Sequence, residues 1–338
     1  TVWLLPLCYY TAILFMETRK IKWILLSVIF LTFSSFQGNG YLGMNVVLAY
    51  LAVFIGYFYQ FKKFRFSIEE LFDSPLTIGL LALTGLALFV SLYFLYLELT
   101  EQFFLTTQRS SGDGRTDLTM FLTFATPPNL FHFGGFWHGV STSRDSIAYA
   151  GFLLPALAIY GLLFSANFRV YVPYLASLLI IVGLALGAVS FVALIVFHFP
   201  GFSFYRHLGL LLPIAKFHLV IISAIGLSVF LADLKEVGNK EIAKRSLYIL
   251  VPLLLIAISC TVLSLVLGGK VTTGDFYGHS RYALLGCLFV ALLVGYKQLA
   301  AGPSASKKIG SLILVVVLVD GLSFYSEQAF EYTVEISD

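Results

Sequence analysis

Apolar runs close to 20 residues long recur along this chain, and its lysines and arginines gather in every second gap between them. A helix rises about 1.5 Å per residue, so such a run is long enough to cross a hydrocarbon core roughly 30 Å thick. Basic residues in alternate gaps mark the cytoplasmic side of a polytopic membrane protein. The basic gaps hold Arg19, Lys20 and Lys22; Lys62, Lys63 and Arg65; Arg169; Lys235, Lys240, Lys244 and Arg245; and Lys297, Lys307 and Lys308. Of the 21 Lys and Arg, 14 fall there, 6 fall in the other gaps and Lys216 falls within a run.

The pattern predicts an all-α transmembrane bundle of about ten spans, near residues 1–16, 22–37, 41–60, 76–98, 147–166, 171–197, 206–232, 246–267, 281–299 and 309–324. Residue 1 is placed outside, and the acidic tail with Glu327, Glu331, Glu335 and Asp338 is outside as well. Residues 1–338 read as one transmembrane domain. Thr1 opens directly into TVWLLPLCYYTAILF with no basic stretch and no small-residue cleavage site, so this is not a signal peptide. The expectation is that an upstream portion of the full protein precedes it.

Composition excludes several classes. Only 12% of residues are charged, 33 are Phe, and the mean hydropathy is +0.91, more apolar surface than a water-soluble domain of this length can hide. No dense basic stripe suggests nucleic acid as a partner. Cys8, Cys260 and Cys287 fall inside apolar runs and read as small buried residues. No Walker A, GxSxG, HExxH or CxxC motif is present.

The one long gap, residues 99–146, is placed outside as an extracytoplasmic loop. Its middle, LTMFLTFATPPNLFHFGGFWHG, is aromatic but broken by Pro127, Pro128, Gly134 and Gly135. It reads as an interfacial segment at headgroup level. Pro155, Pro173, Pro213 and Pro252 fall in spans, where neighbouring helices can answer the freed carbonyls. Gly183 and Gly187 form a small-xxx-small step that permits close helix contact.

The seventh span, FYRHLGLLLPIAKFHLVIISAIGLSVFLADL, holds most of the candidate chemistry. Arg206 and His207 stand at its outer end. Counted along an unbroken helix, Lys216 lies about 15 Å further in, close to mid-membrane. An ionisable residue there faces a polar cavity or a partner. The functional reading is a cationic track for a lipid phosphate, with the Arg206 fork on phosphate oxygens. The plainer readings are a lysine paired with a carboxylate from a neighbouring span, or a neutral lysine. His207 and His218 also suit packing.

Glu98 and Glu101 end the fourth span on the outer side and share a helix face. Paired carboxylates suit a divalent cation or general-base work, and they are also ordinary interfacial residues. His132 and His138 lack a third ligand for zinc. Arg109 in the outer loop and Arg281 at the start of the ninth span are further cations on that side.

Two stretches, QRSSGDGRTDLTMFLTFATPPNLFHFGG and SIAYAGFLLPALAIYGLLF, resemble the large bacterial membrane proteins called YfhO-like. SSFQGNGYLGMNVVLAY and PGFSFYRHLGLLLPIAKF are similar to further segments of that family. The resemblance implies a fold of the GT-C type, helical glycosyltransferases that take a sugar from a polyprenyl-phosphate carrier on the outer face of the bacterial cytoplasmic (inner) membrane. Their catalytic carboxylate lies in the first outer loop, upstream of the matched residues, so the catalytic group is not among these 338. Arg109, Tyr149, Gly151 and Arg206 match the family pattern. A second basic residue is expected soon after Arg206, and only the displaced Lys216 stands there. The implied partners are membrane lipids, a polyprenyl-phosphate sugar and further protein subunits. Two alternatives stay open, a non-catalytic membrane subunit or scaffold and a flippase or transporter of lipid-linked glycans.

Overall fold

The computed structural model of the chain describes residues 4–36, 48–56, 74–100, 117–123, 153–199, 202, 208–237, 241–242, 244–249, 251–252, 255, 311, 313 and 315. Among these the regular elements are all helices and no strand occurs. Eight α-helices are labelled in chain order: α1 Leu5–Thr18, α2 Ile21–Phe36, α3 Pro75–Thr100, α4 Leu118–Thr123, α5 Leu153–Phe164, α6 Val172–Ala185, α7 Phe191–Phe197 and α8 Leu212–Glu236. Residues 48–56 are also helical. Among the described residues one helix, Ile214–Glu236, is long and apolar enough to cross a membrane. Shorter apolar helices are Ile21–Phe33, Pro75–Val90, Leu153–Phe164 and Val172–Ala185. The predicted ninth span and nearly all of the tenth lie outside the described residues.

Proline placement follows from its missing N–H. Pro6, Pro75, Pro173 and Pro213 all stand in the first turn of a helix, where that donor has no intrahelical acceptor. Pro173 and Pro213 are therefore helix starts and not breaks within spans. Ser74 caps α3, its Oγ accepting from the Thr77 N–H at 3.2 Å. Hydroxyls inside the apolar helices are answered locally. Thr11 and Thr84 donate to the carbonyls of Leu7 and Leu80, both at 2.7 Å.

The chain divides into two compact units, Thr1–Pro127 with Arg169–His218, and Pro128–Phe168 with Leu219–Asp338. In the first unit α1 and α2 form a tight helical hairpin. Arg19 ends α1 in the left-handed region at φ 60°, donating its N–H to the Phe15 carbonyl at 2.8 Å, and α2 starts two residues later. Helix α3 packs on α2. Residues 48–56 lie antiparallel to α6, since Ser177 donates to the Ala49 carbonyl at 3.1 Å while Gly56 abuts Pro173. A Cβ at Gly56 would stand 2.8 Å from Pro173 Cα, so the two backbones meet there only because Gly has no side chain.

The sequence predicts one helix over 171–197, and the structure breaks it. Helix α6 stops at Ala185, Gly187 turns to φ 54°, and Ser190 adopts an extended conformation. Ser190 Oγ then caps α7 by accepting from the Val192 N–H at 3.2 Å. Val192 comes back onto Gly183, where an added Cβ would lie 2.9 Å from Val192 Cγ2. Gly183 and Gly187 thus serve a reversal within this segment. Helix α7 also receives α4, with the Phe121 and Phe197 rings 5.1 Å apart.

In the second unit α5 and the Leu219–Glu236 part of α8 run parallel. The pairs Leu154 and Ser223, Leu157 and Gly226, Tyr160 and Phe230 advance together along both helices. Ser223 Oγ donates to the Leu154 carbonyl at 2.7 Å. A Cβ on Gly226 would collide with the Leu157 carbonyl oxygen and come within 3.4 Å of the Gly161 nitrogen. The small-residue contact of this pair is Gly226 against Leu157 and Gly161.

Candidate functional site

Lys216 is the one phosphate-binding candidate whose side chain lies among the described residues. Its surroundings differ from the sequence expectation. A 3-10 turn, Leu208–Leu211, precedes α8, and α8 begins at Leu212. Lys216 is therefore the third residue of the 23-residue apolar stretch Ile214–Glu236, at its first turn and not at its middle. The side chain is half-buried, and among the described residues it makes no hydrogen bond or ion pair. The plainer expectation of a partner carboxylate finds no such group among the described residues. At a helix start the lysine stem can lie on apolar surface while its ammonium reaches the polar side.

Arg206, His207, Arg109, Arg281 and Glu101 lie outside the described residues, as do Tyr149 and Gly151. Glu98 is on α3, three positions from Leu95 and two before Thr100. The described residues bring no two of these candidates together. Among them no three His, Cys, Asp or Glu side chains gather as a metal site would require.

His218, two residues beyond Lys216, is fully buried and its ring is fully used. Its Nδ1 lies 2.7 Å from the Ile214 carbonyl, which can only accept, so the proton sits on Nδ1. Nε2 of the neutral ring then accepts from the Tyr9 hydroxyl at 2.7 Å. The Tyr9 ring also meets Tyr50, Tyr174 and Phe217 at centroid distances of 6.3, 6.2 and 5.7 Å. A second polar link runs beside it. Ser27 Oγ donates to the Cys8 carbonyl at 2.7 Å, so with its single proton used it accepts from the Tyr50 hydroxyl at 2.8 Å. These groups pin helices together and offer His218 no lone pair or proton for a ligand. Packing, the plainer sequence reading of His218, is what its contacts describe.

A second polar cluster lies in the other unit, and the sequence reading did not assemble it. Asp233 Oδ2 accepts from the Tyr160 hydroxyl at 2.7 Å and from Arg245 Nη1 at 2.8 Å. Arg245 Nε also reaches Glu241 at 3.5 Å, and its guanidinium lies 4.9 Å over the Phe164 ring. Desolvation lowers the Arg245 pKa, but its own hydrogen bond to the Tyr160 oxygen and the charge of Asp233 outweigh it, and the net shift is upward. The available signal was LADLKE, an aspartate at the end of a span, followed 12 residues later by an arginine. The cluster joins the C-terminal ends of α5 and α8 to the helical residues 241–242 and 244–249.

Compared with family models, with curated proteins and with solved structures, the chain gives no significant match.

Proposed function

We propose that this chain is a multi-span, GT-C-like membrane protein that handles a polyprenyl-phosphate-linked sugar at the extracytoplasmic face of a bacterial inner membrane, for modification of a cell-envelope glycan or lipid. The membrane part of this reading is supported by large apolar side chains on the outside of the helices. Phe89 and Leu86 of α3, Leu163 of α5 and Leu179 of α6 are all exposed. Exposed apolar faces on this scale suit lipid and not water. The parallel course of α5 and α8 supports the expected alternation of sides, in which both of these spans run inward.

The observation that carries the functional part is Lys216. It is a cation in the first turn of an apolar helix, at the end that the basic gaps assign to the outer side, with no carboxylate to hold it among the described residues. A phosphate leaving group gathers negative charge as its bond to the sugar breaks, and fixed cations lower that barrier. Arg206 lies ten positions earlier in the chain, and Arg109, His207 and Arg281 are assigned by sequence to the same side. A second reading, a non-catalytic membrane subunit, draws on the closed hydrogen bonding of Tyr9, His218, Ser27 and Ser177, which leaves the described polar core to packing.

The test is binding of a fluorescent polyprenyl-phosphate sugar to the purified full-length protein in nanodiscs. Arg206→Ala and Lys216→Met are each expected to weaken binding about 10- to 100-fold, the range for losing a charge-assisted contact. Wild-type affinity in both variants removes these residues from the site, and no binding by the unaltered protein favours the subunit reading.

A further inference from the structure

The described helical residues between 241 and 255 (241, 242, 244–249, 251, 252 and 255) carry two opposed stripes. Ile242, Ser246 and Ile249 are buried, at spacings of four and three. Lys244, Tyr248, Val251 and Leu255 recur at spacings of four, three and four on the other face, and all are exposed. Tyr248 is 64% exposed and Leu255 57%, against 4% for Ile249. In a helix facing water the outer stripe would be polar, and here it is apolar except at its first member. That member is a lysine whose Nζ lies 5.8 Å over the Tyr248 ring, so its stem follows the apolar face and its charge stands at the end of it.

The charges around Lys244 are already sorted. Arg245 takes both Asp233 and Glu241. Among the described residues no carboxylate is paired with Lys244. The stripe therefore presents a cation with no carboxylate partner among the described residues, an amphipathic aromatic ring and a length of apolar surface, in that order from the basic gap into the span. Its complement is a molecule with an anionic head and a hydrocarbon tail. The gap belongs to the basic set that the sequence assigns to the cytoplasmic side, where the leaflet carries anionic lipids.

We infer that Lys244, Tyr248, Val251 and Leu255 form a seat for an anionic phospholipid of the inner leaflet, its headgroup on Lys244 and an acyl chain along the stripe. The inference rests on the membrane reading but not on the glycosyltransferase one, because it concerns the opposite face. Lys244→Gln changes an exposed side chain and leaves the buried stripe intact.

The experiment begins with alkaline carbonate treatment of membranes containing the full-length protein. Retention in the pellet keeps the membrane reading, and release to the supernatant overturns it together with this inference. Native mass spectrometry of the detergent-released protein then compares retained phosphatidylglycerol with phosphatidylcholine. The expected result is preferential retention of phosphatidylglycerol, reduced about fivefold in Lys244→Gln, with phosphatidylcholine unchanged. Equal retention of the two lipids, or a Lys244→Gln variant that holds phosphatidylglycerol as the wild type does, overturns the lipid seat alone. A thermal melt of the variant within a degree or two of wild type is the accompanying expectation, and a large loss would instead make Lys244 a structural residue.

Discussion

Tyr9 and Gly226 show how unequal two buried positions can be. Tyr9→Phe deletes one hydrogen bond to His218 and keeps the ring in its aromatic cluster. Interhelical hydrogen bonds in membranes are worth about 0.6 kcal/mol on average and about 1.7 at most, so the variant is expected to lose no more than that in denaturant unfolding. Gly226→Ala is expected to cost more, about 1–3 kcal/mol, because its Cβ meets the Leu157 carbonyl and a backbone atom cannot rotate away. If alanine at 226 unfolds like wild type, α5 and α8 do not approach as described. Lys216→Met separates function from packing by its sign. Lys216 has no anionic partner among the described residues, and an unpaired lysine in an apolar helix costs up to about 2.5–3.5 kcal/mol at a helix centre and less at its first turn. The variant is expected to match or exceed wild-type stability while losing phosphate binding, and a clear destabilisation would show that Lys216 holds the fold instead.

At the scale of elements, the informative case is the segment 171–197. Its apolar run is continuous, and a hydropathy window has no way to register a reversal inside it. The 14 residues of α6 span only about 21 Å, short of the roughly 30 Å of a hydrocarbon core. The reversal depends on Gly187 at φ 54°, where a Cβ meets the backbone. Gly187→Ala is expected to destabilise by about 1–2 kcal/mol, and Ser190→Ala by about 1 kcal/mol through loss of the α7 cap. Thermal unfolding in detergent measures both, and a neutral Gly187→Ala would mean the helix runs on. The seventh span errs in the same way at its start. Arg206 to Lys216 read as ten residues of unbroken helix, yet α8 begins at Leu212, which moves Lys216 from the middle of the apolar stretch to its edge.

For the whole molecule, the side on which each gap lies is the quantity that decides the chemistry. With Cys8, Cys260 and Cys287 replaced, a single cysteine introduced at exposed Phe199 is expected to react with a membrane-impermeant maleimide in intact cells. One introduced at exposed Lys235 is expected to react only after permeabilisation. The reverse result would invert the assignment and place Lys216 near the cytoplasm, away from a lipid-linked sugar on the outer face.

Helical character was legible without coordinates, because the period and length of apolar runs are local properties of neighbouring residues. The basic gaps were visible for the same reason, whereas Pro173 and Pro213, read as breaks within spans, stand at helix starts. Which polar groups answer one another was not. Tyr9 meets His218 across 209 positions, and Tyr160 meets Asp233 across 73, and no local pattern encodes such a meeting. The sequence by itself therefore determined that the chain is an apolar helical protein with its cations gathered in alternate gaps between apolar runs. Only the tertiary structure decided that His218 is closed off in packing, that Arg245 is tied to Asp233, and that Lys216 and Lys244 have no carboxylate partner among the described residues. The reason is that a hydrogen bond or ion pair depends on distances of about 3 Å between groups brought together by folding, which spacing along the chain does not set.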